Sequence, residues 1–416
     1  LHIEAIRLQN LRTFVDARIA FADPDDSAGR STGNVHVLLG GNSAGKSTVL
    51  RAIAASVLAP VLERAGGLTG HRWLRRSPAG SGDTAPPADD IARVETGVRL
   101  HRQDLLGRAR LPLHMQVERM GDLELIDWLR PADASLAREL RQVQQVRDAS
   151  AFFLVAYGAS RWVDLQQQVP RVGALPLPQQ RWHRVASLFD NRGLVPLAGW
   201  LPAYAAQNPG RYRQVVNLMN RLLPQGCRMI DPPRPASVEA ADMFEMEGVA
   251  LPFRGLSDGY QAYVGWVGDM LYQLCQGARS GRKLVDSHGV VLVDEIDLHL
   301  HPAWQRALLP TLAAALPAIQ FIVTTHSPLV LGALQPGNVA VLEPDRVRGT
   351  RIVRLAERVH GQSADQLLLS PYFGLDSTRP ADVSDALEGL RRAGEAGDPA
   401  ASAAYLRLLS CGEGGP

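Results

Sequence analysis

Hydrophobic and polar positions divide this chain into short apolar runs ending in polar clusters, separated by stretches with helical spacing. Over residues 3–21 apolar and polar residues alternate well enough to predict two strands, joined at Asn10-Leu11-Arg12. Val35 to Leu39 is an unbroken apolar run of the buried-strand kind, and Val49, Leu50, Ile53, Ala54, Val57 and Leu58 then recur at helical spacing. Residues 93–101 and 111–118 read as strands and 134–147 as a polar helix. Residues 151–157 read as a buried strand ending in Gly158-Ala159-Ser160-Arg161. Residues 181–223 carry helical patterns rich in aromatics and broken by Pro and Gly, which predicts a compact helical insertion; without sustained heptads, no long coiled-coil arm is expected. A helix opens at Leu256-Ser257-Asp258-Gly259-Tyr260-Gln261 and runs on through Tyr263, Val264, Trp266, Val267 and Leu271. Two more apolar strands end in polar clusters, at Asp294-Glu295 and at Thr324-Thr325-His326-Ser327-Pro328. Residues 77–90, rich in Ser, Pro, Gly and Asp, are expected to form a flexible surface loop because they cannot bury enough apolar surface.

Composition narrows this picture modestly. The 416 residues suffice for two or three structural units, and 44 Lys+Arg against 42 Asp+Glu leave a net charge of +2, so a polyanion partner would need a local patch. Three scattered cysteines, Cys227, Cys275 and Cys411, lack zinc spacing and suit a reducing, cytoplasmic setting. The opening residues alternate like a strand rather than a leader, and no apolar stretch approaches the roughly 20 residues of a membrane span. A cytoplasmic protein with no membrane partner is expected.

The chemistry concentrates at four places. Gly40-Gly41-Asn42-Ser43-Ala44-Gly45-Lys46-Ser47-Thr48 is a full G-x-x-x-x-G-K-S phosphate loop set between a strand and a helix. Backbone N–H groups of Gly40, Asn42, Ser43, Ala44, Gly45, Lys46, Ser47 and Thr48 are expected to curl around the phosphates of a nucleoside triphosphate. Lys46 would reach the β- and γ-phosphates and the Ser47 hydroxyl would ligate Mg²⁺. Asp294 is placed to hold Mg²⁺ from the metal side, and Glu295 to act as general base toward the attacking water. His326 can sense the γ-phosphate by hydrogen bonding. Ser257 and Gly259, at a helix N-terminus, form a further anion-binding element.

In this order the four segments resemble the Walker A, signature, Walker B and switch-histidine motifs of ABC-type ATPases. The details resemble the branch holding RecF, SMC-like and OLD-family proteins. Asp294 to Pro302 is similar to the D-E-x-x-x-H-L-H-P segment of OLD-like ATPases, Thr325-His326-Ser327-Pro328 to their T-H-S-P, and Ile6 to Phe14 to the opening strand of RecF-like proteins. The resemblance implies an α/β fold: an ABC-type P-loop NTPase core with a mixed sheet, an antiparallel β subdomain and a helical insertion. It divides the chain into 1–160 and 251–355 for the two parts of the core, 161–250 for the insertion and 356–416 for a C-terminal helical tail. It also implies that Ser257 and Gly259 act in trans, in a head-to-tail homodimer that sandwiches two ATP molecules. The signature departs from the family as L-S-D-G-Y, and the place of the Q-loop glutamine holds Gly158 to Arg161, with Gln166, Gln167 and Gln168 nearest. His299 and His301 are expected to serve structure or dimer contact rather than a metal.

A C-terminal TOPRIM nuclease is not expected, since about 90 residues follow His326 and Glu343-Pro344-Asp345 completes no metal cluster. The chain thus resembles the ATPase components of bacterial anti-phage systems that work with a separate nuclease or effector. The alternative is a RecF- or SMC-like DNA-repair ATPase that clamps DNA. Arg72, Arg75 and Arg76 around Trp73, and Arg181-Trp182-His183-Arg184, are its candidate basic, aromatic patches for DNA or RNA. A transporter energy subunit and a nucleotide-gated scaffold with little turnover fit the motifs less well.

Overall fold

The computed structural model describes residues 1–22, 32–58, 71–76, 90–101, 109–128, 134–145, 153–165, 169, 177–230, 243–277, 282–345 and 348–410. The expected loop at 77–90 and the three glutamines at 166–168 therefore lie outside the described residues, save for Asp90. The chain divides into two compact units, 1–361 and 362–416.

The first unit begins with β1 (His2–Leu11) and β2 (Phe14–Ala20), followed by β3 (Val35–Gly40), α1 (Lys46–Leu58), β4 (Ile91–Arg99), β5 (Arg110–Met120), β6 (Leu123–Trp128), α2 (Ala134–Gln145) and β7 (Leu154–Tyr157). Four helices come next: α3 (Leu177–His183), α4 (Ala186–Phe189), α5 (Leu197–Gln207) and α6 (Pro209–Leu222). The chain then runs through β8 (Cys227–Met229), β9 (Met243–Met246), β10 (Val249–Pro252), α7 (Asp258–Gly277), β11 (Gly289–Val293), α8 (Pro302–Ala315), β12 (Ile319–Thr324), α9 (Pro328–Leu331), β13 (Val339–Glu343) and β14 (Arg351–Val353).

These strands form three sheets. Strands β2-β1-β4-β5-β6 make an antiparallel sheet, and β14-β13-β3-β12-β11-β7 a mixed one in which only β14 runs antiparallel to its neighbour. The sequence pattern already carries this contrast. Strands β3, β11 and β12 are buried along almost their whole length, as parallel strands covered on both faces must be, whereas β2 and β5 alternate buried and open positions. Helix α1 packs on β4 and β5 of one sheet and on β3 and β12 of the other, so it is buried on nearly every side. Its residues Val49, Leu50, Ile53 and Val57 join Ile6, Leu8, Val94, Leu113, Leu292 and Ile322 in one core. A polar clamp ties the two sheets: the Ile3 N–H donates to Gln320 Oε1 at 2.7 Å, and Gln320 Nε2 returns a bond to the Ile3 carbonyl at 3.0 Å. Both partners are buried, so each satisfies the other where water does not reach.

The stretch from α3 to α6 is helical. It is followed by a small antiparallel sheet, β10-β9-β8, which the apolar pattern of the sequence does not foretell because its strands are only three or four residues long. Among the described residues, no helix is long and apolar enough to cross a membrane.

The second unit contains α10 (Ala364–Leu368), α11 (Ala381–Glu395) and α12 (Pro399–Ser410). Ser363 and Gln366 form a reciprocal cap on α10, and α11 packs along α12.

Candidate functional site

The phosphate loop leaves the buried strand β3 and enters α1 at Lys46, so the N–H groups of the first helical turn open toward the loop. Gly45 has φ +100°, and a Cβ placed there would lie 2.6 Å from Thr13 Oγ1 and 2.7 Å from the Phe14 ring. Only glycine satisfies both the dihedral and this close approach to the turn between β1 and β2. Asn42 and Ser43 are exposed at the tip, Ser47 is half-buried, and Ala44 and Thr48 are buried. The Lys46 ammonium folds onto its own loop and donates to the carbonyls of Gly40 at 2.8 Å and Gly41 at 3.0 Å. Burial lowers its pKa, and the carboxylates of Asp294, Glu295 and Asp297 oppose that shift.

Those carboxylates arrive through sheet order. Strand β12 lies between β3 and β11, in register with both, so the polar residues after β12 and β11 gather at the end of the sheet where the loop sits. Thr324, fully buried, joins them: its Oγ1 donates to Asp294 Oδ1 at 2.6 Å and accepts from the Glu295 N–H at 2.7 Å. Thr325 Oγ1 donates to Asp297 Oδ1 at 2.5 Å and accepts from the Ser327 N–H. Ser327 in turn caps α9. Asp294 is 6% exposed, Glu295 is half-buried, and His326 is exposed between the Thr325 and Ser327 anchors. Glu295 adopts φ +47°, a left-handed conformation that costs a non-glycine residue about 1–3 kcal/mol and so requires surrounding bonds to hold it.

Arg161 supplies such bonds. The structure puts it at the end of β7, in the place where the sequence offers no glutamine, with its guanidinium buried against the main chain of Asp294 and Glu295. Burial pushes its pKa down to about 10, against the pull of Asp294, Asp297 and Glu295, so it remains a cation at neutral pH. Sequence reasoning gave roles to neither Arg161 nor Thr324. The signal was present only as an arginine just past a buried strand and a Thr-Thr pair ahead of the histidine.

The signature turn abuts the segment that follows Glu295. A Cβ on Gly259 would lie 2.7 Å from the His299 carbonyl oxygen, and His299 itself has φ +65°. Ser257 and Asp258 are exposed at the start of α7, and the Tyr260 ring packs on Trp304 with centroids 4.1 Å apart. His301 Nδ1 accepts from the Ala303 N–H and caps α8, which gives this histidine a structural task.

The two basic patches drawn from the sequence do not form exposed stripes. Trp73 and Arg75 are buried and only Arg72 and Arg76 are open, while Arg181 and Arg184 are 3% and 6% exposed. The Arg184 guanidinium lies over the Phe153 ring, 4.9 Å from its centroid, and Trp182 packs against the core beside Phe189. The composition reads the same whether a basic aromatic cluster meets solvent or neighbouring apolar side chains; here Leu74 bridges Leu11 in an antiparallel pairing, and both clusters turn largely inward.

The donor set fits Mg²⁺. The Ser47 hydroxyl and the Asp294 carboxylate would supply it with hard oxygens, and Thr324 bonds one oxygen of Asp294 and leaves the other for a cation. No group of three or more His, Cys, Asp or Glu side chains suited to a metal occurs among the described residues.

Comparison with known proteins gives a consistent picture. Residues 228–332 match the family described as "AAA domain, putative AbiEii toxin, Type IV TA system", a span holding the signature, the paired carboxylates and His326. The chain is 41% identical over 125 residues to Septu protein PtuA of Bacillus mycoides, covering 30% of this chain and 17% of that protein. It is 37% identical over 112 residues to the Escherichia coli protein named "Retron Ec83 probable ATPase", covering 25% of this chain and 21% of that protein. The matched part thus spans less than a quarter of either relative. Among solved structures, the SMC head bound to the C-winged helix domain of ScpA superposes with a TM-score of 0.50 at 16% identity, over 85% of this chain and 98% of that one. The chain therefore shares the fold of an SMC head, matches an AAA-domain family over residues 228–332, and is similar in sequence to a Septu PtuA protein and to a retron probable ATPase.

Proposed function

We propose that this protein binds and hydrolyses ATP as a nucleotide-gated homodimer, and serves as the ATPase component of an anti-phage defence system that works with a separate nuclease or effector. The observation that carries the reading is the convergence of Lys46 with Asp294 and Glu295 at one end of the mixed sheet, with Thr324 bridging the two carboxylate residues. Similarity to a Septu protein and to a retron ATPase supports the defence setting.

In this mechanism the loop from Gly40 to Thr48 wraps the triphosphate, and Lys46 leaves the Gly40 and Gly41 carbonyls to meet the phosphate oxygens. Ser47 and Asp294 would hold Mg²⁺, which would supply positive charge to the transferring phosphoryl group. Glu295 accepts a proton from the attacking water, and His326 donates to the γ-phosphate. Ser257 and Gly259 of the second copy close over the same phosphate. ATP then binds the closed dimer more tightly than the open one and shifts the equilibrium toward it. Hydrolysis removes the shared ligand and releases the pair.

The decisive experiment uses purified Glu295→Gln with ATP and Mg²⁺, read by mass photometry and by phosphate release. The expected result is an accumulated dimer with turnover reduced about a hundredfold or more. Near-normal turnover would remove Glu295 from its role, and a monomer at saturating ATP would defeat the gated dimer. Mixing Ser257→Arg with Lys46→Ala subunits should restore one intact composite site; no recovery over either variant alone argues against sharing in trans.

A further inference from the structure

Successive carbonyls of extended backbone point to opposite sides, yet those of Asp294 and Glu295 both point at one guanidinium. Arg161 Nη2 donates to the Glu295 carbonyl at 2.8 Å, while Nη1 donates to the Asp294 carbonyl and, at 3.1 Å, to that of Gly158. The left-handed turn at Glu295 is what lets both oxygens converge. One planar, doubly forked donor therefore grips the main chain of both carboxylate residues and pins them to the end of β7. A second bond reinforces the attachment, since the Asp294 N–H donates to the Tyr157 carbonyl at 2.9 Å.

Tyr157 also reaches the other way. Its hydroxyl donates to Asp269 Oδ2 at 2.7 Å, and Asp269 Oδ1 accepts from the Val195 N–H at 3.0 Å. Asp269 sits fully inside α7, the helix that opens with the signature turn, and the Tyr157 ring packs on Trp266 of the same helix. Residues 157–161 thus join the signature helix to the backbone of Asp294 and Glu295 through side-chain bonds shielded from water, where such bonds are strongest.

We propose that Arg161 is a positioning residue of the hydrolytic site. It holds the turn at Glu295 in the conformation that aims the Glu295 carboxylate, and the Tyr157–Asp269 bond links this clamp to the signature helix. The assignment rests on the ATPase reading above. A purely structural arginine would make the same bonds, so the test must read aim rather than folding alone.

The test is Arg161→Lys in the full chain, alone and combined with Glu295→Gln. Lysine keeps the charge but cannot span three carbonyls with a planar fork. Affinity for a fluorescent ATP analogue should stay within about threefold of the parent, while single-turnover hydrolysis slows about tenfold or more, as a small misplacement of a reacting group does. In the Glu295→Gln background the same change should alter the residual rate less than about twofold, because the carboxylate it aims is already gone. An equal loss in both backgrounds, a change confined to affinity, or unaltered hydrolysis would overturn the proposal. A parent protein that hydrolyses no ATP would instead overturn the ATPase reading. Should Arg161→Lys fail to fold, Tyr157→Phe keeps the Val195 bond to Asp269 and removes only the link. Hydrolysis about threefold slower or more at unchanged affinity supports the linkage, and wild-type hydrolysis refutes it.

Discussion

Replacing Thr324 by Val tests how the two carboxylate residues are held. Valine preserves shape and strand preference while removing the hydroxyl, and Thr324 is fully buried, so water cannot take its place on the side facing the core. Two bonds are lost. The one from Oγ1 to Asp294 Oδ1, 2.6 Å long, is made to a charged group and is worth about 1.5–3 kcal/mol; the one from the Glu295 N–H, 2.7 Å long, is worth about 1 kcal/mol. The half-buried Glu295 N–H can recover part of its share from solvent, so the expected cost is about 2–4 kcal/mol. A unit spanning residues 1–361 has an unfolding entropy of about 0.76 kcal/mol/K at roughly 2.1 cal/mol/K per residue, which converts that cost to a fall of about 3–5 °C in Tm. Calorimetry on wild type, Thr324→Val and Thr324→Ser gives the comparison. Serine retains both bonds, so its melt should sit nearer wild type, and ATP turnover should drop in the valine variant because Asp294 loses its orienting donor. A valine variant that melts within about 1 °C of wild type would refute the bridge.

Lys46→Ala should weaken ATP binding about tenfold or more while leaving the melt nearly unchanged, since Lys46 bonds only to carbonyls of its own loop; nucleotide titration with unchanged affinity contradicts the cradle. Gly259→Ala forces a Cβ to 2.7 Å from the His299 carbonyl, a main-chain atom, and should cost about 1–3 kcal/mol of stability together with ATP-dependent dimerisation; a variant that melts and dimerises like wild type rules out the close approach. Acid should destabilise the fold through His36, whose pKa burial, aided by His2 and Arg354, lowers from 6.5 to about 3. The unfolded chain binds that proton below pH 6.5 and the folded chain does not, so stability falls with pH between those values. The loss approaches about 1.4 kcal/mol per pH unit, or about 2 kcal/mol at pH 5. Urea titrations from pH 7 to 5 should show this slope and His36→Leu should flatten it; an equal slope in the variant assigns the proton elsewhere.

Local pattern made much of the architecture legible. Val35 to Leu39, Gly289 to Val293 and Ile319 to Thr324 are apolar enough to declare buried strands, and the alternation over residues 3–21 declares a half-open pair. Strand β6 was not foreseen because its alternation is weak, with Leu123 and Leu125 on the exposed side. The basic clusters at 72–76 and 181–184 show the limit from the other side. Clustered arginine and tryptophan suit a solvated or nucleic-acid-binding face, but Trp73, Arg75, Arg181 and Arg184 are buried.

The sequence by itself determined the kind of chemistry, because a phosphate loop and a strand ending in two carboxylates depend on contiguous residues whose spacing is set by one turn of backbone. Only the tertiary structure decided which side chains stabilise that chemistry. Arg161 lies 133 positions before Asp294, Thr324 lies 30 after it, and Gly259 meets His299 across 40. Each pairing arises from strand order and helix packing, which no local spacing encodes. What binds them is geometry closed over long loops: β12 inserted between β3 and β11, and α7 laid against the end of β7.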